Sequence, residues 1–118
     1  MRGAIDKSKL NKKKLKQLYS KLVSLTRIIL SEENMVRELI AKVRADINIL
    51  LSDNITVSEN QGLEIISSLR LLHNDLQELK MRVKSPKVKG LIELLVESGF
   101  FRKGLVPLAI KNIEKSMR

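Results

Sequence analysis

The chain offers very few groups for covalent chemistry. It has one histidine, His73, and no cysteine. Thiolate catalysis, disulfides and thiolate metal sites are therefore excluded. His73 has no cluster of further ligands around it, so a boundary or surface position is expected. A general base needs a partner within hydrogen-bond reach, and no such set stands out. Glu32, Glu33 and Glu38 sit among basic neighbours on helical patterns and read as surface charge. No Walker, dinucleotide-binding or metal-spaced motif occurs. Catalytic residues, a metal and a cofactor are accordingly not expected. Two sets with binding chemistry remain. Lys9, Lys12, Lys13, Lys14 and Lys16 could neutralise phosphates or meet an acidic partner; their plainer reading is a solvated helix start. Phe100 and Phe101, the only phenylalanines, stand side by side between Gly99 and Gly104. An exposed loop aromatic is a usual anchor for a partner. The alternative is that both close the base of a bundle.

The elements that must hold these groups are helical. Residues 1–9 lack apolar periodicity and are expected to fray. From Leu10, the leucines at 15, 18, 22 and 25 and Ile29 step by three and four, the seam of a bundle helix, widened by Tyr19 and Val23. Ser31-Glu32-Glu33 reads as a helix start. Met35, Val36, Leu39, Ile40, Val43, Ile47 and Leu50 form the next stripe. One helix from Leu10 to Leu51 is the competing reading. Ser52-Asp53-Asn54 is a stop of three turn formers, and Ile55 and Val57 lie in the short connection that follows. Ser58 and Gln61 have the spacing of a capping box. Leu63, Ile66, Leu69 and either Arg70 or Leu72 continue inward, with a break expected near Asn74 before Leu76, Leu79 and Val83. Ser85-Pro86 opens another helix, carrying Val88, Leu91, Ile92, Leu94 and Leu95, and Ser98-Gly99 should close it. Leu105, Leu108, Ala109, Ile113 and Met117 mark the last helix, with Pro107 in its first turn. The expected fold is all-α: a compact bundle of five to six helices with short loops. Residues 1–30 read as a basic arm and helix, residues 31–118 as the bundle, together one folded unit.

Composition agrees with that class. A hydrophobic fraction of 43% is too high for wholesale disorder, and 3% aromatic residues mean a core of Leu, Ile and Val. No apolar run reaches the roughly 18 residues of a membrane span. The start shows no secretory pattern, so an intracellular protein without membrane contact is expected. The net charge of +10 is uneven: residues 1–27 hold nine Lys or Arg against one Asp, and residues 86–118 seven against three. Such charge permits non-specific nucleic-acid binding. Nothing suggests base stacking or a helix-turn-helix.

Residues 45–117 resemble the helical domain shared by the TFIIS N-terminus and the integrase-binding domain of lens epithelium-derived growth factor. The matching pieces are Ala45-Asp46-Ile47, Asp53-Asn54-Ile55-Thr56-Val57, the Leu-rich helix after them, Val83-Lys84-Ser85, Phe100-Phe101, and Leu105, Leu108, Ala109 and Ile113. The resemblance implies a nuclear module that binds short disordered motifs of transcription and chromatin factors. Its site would lie at one end, between two interhelical loops. There Asp53 would accept backbone N–H groups of the peptide, and Phe101, with Phe100 as the alternative, would form an apolar wall helped by Ile55. Residues 1–30 lie outside the resemblance. Two other readings stay open. One is a small basic helical subunit on nucleic acid, of the kind found in viruses or CRISPR effectors. The other is a scaffold self-associating through the Leu15–Ile29 seam.

Overall fold

Five α-helices and one short 3-10 turn make up a computed structural model that describes residues 4–29, 33–97 and 104–117. Helix α1 spans Lys12–Ile28. Asn11 opens it, its side chain accepting from the Lys14 N–H, which satisfies one of the orphan donors of a first turn. Leu15, Leu18, Leu22 and Leu25 are fully buried. The chain then turns extended at Ile29, and α2 covers Asn34–Leu51 with Glu33 at its cap and no side-chain cap bond. Residues 10–51 are therefore two helices and not one. The expected cap at Ser31 lies outside the described residues. In α2, Val36, Ile40, Val43, Ile47 and Leu50 step by four and three into the core. Met35, expected in that stripe, is 83% exposed; it is one position off the buried row.

Helix α3 covers Glu59–Arg82 and begins with the expected box. Ser58 accepts from the Gln61 N–H, and Gln61 accepts from the Ser58 N–H. The expected break near Asn74 is absent. The physical reason is phase: Leu69, Leu72, Leu76 and Leu79 advance by three, four and three and are all fully buried. A break at Asn74 would rotate Leu76 and Leu79 off that face, and Asn74 itself is exposed. Leu63 is another correction, being 54% exposed. The buried row starts instead at Gly62, Ile65 and Ile66. A Cβ at Gly62 would stand 2.6 Å from Met117 Cε and 2.8 Å from Ile5 Cδ1, so the glycine marks where both ends of the chain cross α3.

Helix α4 covers Pro86–Val96, with the Ser85 side chain accepting from the Val88 N–H and Pro86 in the first turn. It ends at Glu97; Ser98-Gly99 lies outside the described residues. Helix α5 covers Leu105–Ser116. Gly104 precedes it at φ 79°, a left-handed conformation that favours glycine, and donates its N–H to the Leu94 carbonyl at 2.8 Å. Leu105, Val106, Ala109, Ile113 and Ser116 are buried, while Leu108 and Met117 are half-buried.

Packing makes α3 the axis. It lies against α2, α4 and α5, and α1 closes the other side against the same three helices. With 24 residues, α3 is about 36 Å long and sets the long dimension of a 49 × 31 × 19 Å body.

The described part of the N-terminus does not fray. Ala4 and Ser58 lie antiparallel as a single bridged pair. The Ile5 N–H donates to the Val57 carbonyl at 2.7 Å and the Asp6 N–H to the Ser116 carbonyl at 2.8 Å. Lys7–Lys9 form the 3-10 turn, capped by the Asp6 side chain. Asn112 accepts from the Asn11 N–H and donates to the Lys9 carbonyl. Ile5 and Leu10 are buried. This strap shows no periodicity in sequence because backbone bonds to distant segments hold it, and only two apolar residues anchor it.

Candidate interaction site

The connection between α2 and α3 is short, and its backbone is tied down from one direction. Val57 is fully buried beneath it. The Lys7 ammonium donates to the carbonyls of Ile49, at 2.8 Å, of Ser52 and of Ile55. A cation at a helix C-terminus meets both the unpaired carbonyls and the negative end of the macrodipole. Partial burial pushes Lys7 below its usual value, and the nearby Asp53 carboxylate opposes that. Lys7 was not among the residues singled out from sequence. The one local signal is Asp6 two residues before Ser8, an Asx turn that sets the start of the 3-10 turn.

On this pinned backbone two of the expected residues point outward. The Asp53 side chain is 82% exposed, and Ile55 is 45% exposed. One Asp53 oxygen accepts from Lys12 Nζ at 2.8 Å. That bond, and the Lys12 charge with it, holds the Asp53 carboxyl below the usual carboxylate range. Asp53 is thus an anion in neutral solution, with acceptor capacity left over. Exposed ion pairs contribute about 0–1 kcal/mol, so Lys12 can be exchanged for another donor at little cost.

The expected lysine set does not form one surface. Lys12 is turned to Asp53. Lys13 and Lys16 are exposed and Lys14 half-buried on α1. Lys9 lines a separate cleft with Lys111, Glu114 and Lys115 of α5. Phe100 and Phe101 lie outside the described residues. The flanks of their loop are placed. Gly104 is joined to Leu94, at the opening of α5, whereas the far end of α5 reaches Asp6, next to Val57. With 12 residues α5 is about 18 Å long, so the Asp53 loop and Gly104 stand at opposite ends of it. His73 is half-buried, its Nε2 3.1 Å from the Val96 carbonyl, a boundary position between α3 and α4. Among the described residues no group of three or more His, Asp or Glu could hold a metal ion. None of their helices is long and apolar enough to cross a membrane.

Two expectations follow from this geometry. Lys7→Met should cost about 1–2 kcal/mol in urea unfolding, the lower range for charge-assisted bonds because the ammonium is only partly buried. Lys7→Arg should recover little of that, since the carbonyls converge on a single nitrogen. A second expectation concerns pH. Asp6 is held below its usual range by the Ser8 hydroxyl and N–H, and Asp53 by Lys12. Carboxyls depressed in the folded state add stability above their ordinary value, near pH 4, and lose it as pH falls through the lower folded value. Protection of the Ser8 amide relative to its intrinsic exchange rate, and stability in urea, should therefore both fall below about pH 4. Asp6→Asn with Asp53→Asn should flatten that response; an unchanged profile would place its origin elsewhere.

Comparison of this chain with protein-family models, with curated proteins and with solved structures finds no match in any of the three.

Proposed function

We propose that this protein is a non-enzymatic interaction module whose α2–α3 loop receives a short, otherwise disordered peptide. The observation that carries the reading is the pairing of an exposed, ionised Asp53 with a half-exposed Ile55 on a backbone immobilised by Lys7. A rigid loop offers recognition groups without the entropy cost of ordering them. Asp53 accepts peptide N–H groups in exchange for Lys12, and Ile55 covers an apolar side chain. Motifs of transcription or chromatin factors are the ligand class that the resemblance to the TFIIS N-terminal domain suggests for such a loop. The enclosing compartment would then be the nucleus.

The test is a pull-down from nuclease-treated extract with wild type, Asp53→Ala and Ile55→Ala. Both substitutions are exposed and should leave the melt within about 0.5 kcal/mol of wild type. Partners retained by wild type and lost with both variants support the loop. Partners retained by both variants rule it out. A second reading, phosphate binding, is favoured by the meeting of Lys9 with Lys111 and Lys115 in one cleft. Its signature is a steep fall of DNA affinity with salt, unaffected by Ile55→Ala.

A further inference from the structure

Glycine is the poorest helix former after proline, yet Gly90 sits in the middle of α4. Nothing among the described residues asks for it. Its φ is not positive, and a Cβ built there would meet no heavy atom of the described residues within 4 Å. Gly90 opens instead onto a groove of about 450 Å³ between α1 and α4, floored by Ile28, Leu91 and Leu94. A second hollow of about 370 Å³ continues from Ile28 along Val83 and Val88. The rim is cationic. Arg27 stands on the α1 side, Lys87 on the α4 side and Lys84 at the end. All three are exposed, and none forms an ion pair among the described residues. Among the described residues, the one acid on this rim, Glu33, is engaged by Arg82 at 3.3 Å.

We propose that the α1–α4 groove docks an acidic amphipathic helix of a partner protein. An apolar trough between two helices takes the apolar face of a third. Gly90 lets the backbone of that helix approach α4 closely, and carboxylates along its flanks meet Arg27, Lys84 and Lys87. A second copy of this chain is a poor occupant, because its net charge of +10 would face the same cations. This surface is separate from the Asp53 loop and is tested separately from it.

The probe is a fluorescent peptide of about 18 residues, with leucines spaced by three and four and glutamates elsewhere. Controls are the same peptide with lysine for glutamate, and a shuffled version without an apolar face. Gly90→Ala is the folding control and should melt at or above wild type. The acidic peptide should bind wild type by anisotropy. Gly90→Leu should weaken it at least about tenfold, as should Arg27→Glu with Lys87→Glu; Asp53→Ala should leave it unchanged. The proposal is overturned if the acidic peptide does not bind, binds no better than either control, or is indifferent to Gly90→Leu. It is also overturned by sedimentation showing a wild-type dimer that Gly90→Leu dissociates, which assigns the groove to a second copy. Displacement of the peptide by short duplex DNA assigns the rim to phosphate, with the same consequence.

Discussion

Deleting residues 1–30 should abolish the cooperative melt of the remainder. The segment is basic and lies at the chain end, so trimming it looks harmless. Its side chains argue otherwise. Leu15, Leu18, Leu22 and Leu25 are fully buried, and Ile5, Leu10 and Ile29 nearly so. Burying a leucine contributes about 1.5–3 kcal/mol, so four contribute about 6–12 kcal/mol. That is comparable to the whole stability of a typical domain, about 5–15 kcal/mol. The deletion would also uncover the faces of α2, α4 and α5 that α1 covers. Circular dichroism against temperature reads the outcome, and a sharp transition in the shortened chain would refute the integral role of α1. A milder version isolates one contact: Leu22→Ala should cost about 2–5 kcal/mol in urea.

This has a bearing on how the basic residues can be tested. Removing the first 27 residues to ask whether they bind nucleic acid would unfold the protein as well as discharge it. Lys13→Gln with Lys16→Gln is the cleaner change, because both side chains are exposed on a helix held by its other face. Lys12 is less suitable: its loss also frees Asp53.

Most helices were readable because burial imposes a period. The row Leu15, Leu18, Leu22, Leu25 and the row Val36, Ile40, Val43, Ile47 announce which face is covered without any knowledge of the partner helix. Caps were readable where one side chain does the work, as at Ser58 and Ser85. The strap at residues 4–10 was not. It is held by Val57 and Ser116, more than fifty positions away or at the opposite end of the chain, and such bonds leave no local pattern. For the same reason the candidate site was half legible. The turn residues around Asp53 mark a loop, and the proposed role of Asp53 and Ile55 is one that only the resemblance implied. That Lys7 fixes this loop, and that Lys12 reaches Asp53, follows only from the crossing of the N-terminus over α3, where Gly62 makes room.

The helix boundary misread at Asn74 has an energetic counterpart that tests the α3 geometry directly. Asn74 has the chemistry of a cap, and Gln77 follows at the spacing of a capping box. Were a second helix to start there, Asn74→Ala would remove the cap and cost about 0.5–2 kcal/mol. In the interior of a continuous helix the same exposed substitution removes a poor helix former, so the sign reverses to a gain of up to about 0.7 kcal/mol. Leu76→Ala, two positions on, should cost about 2–5 kcal/mol, because that side chain is fully buried in the row with Leu72 and Leu79. The two substitutions therefore diverge in sign although they are nearly adjacent. Urea unfolding of both resolves them, and a destabilising Asn74→Ala would break α3 in two. Local cap chemistry lost to the tertiary row because three buried leucines outweigh one hydrogen bond.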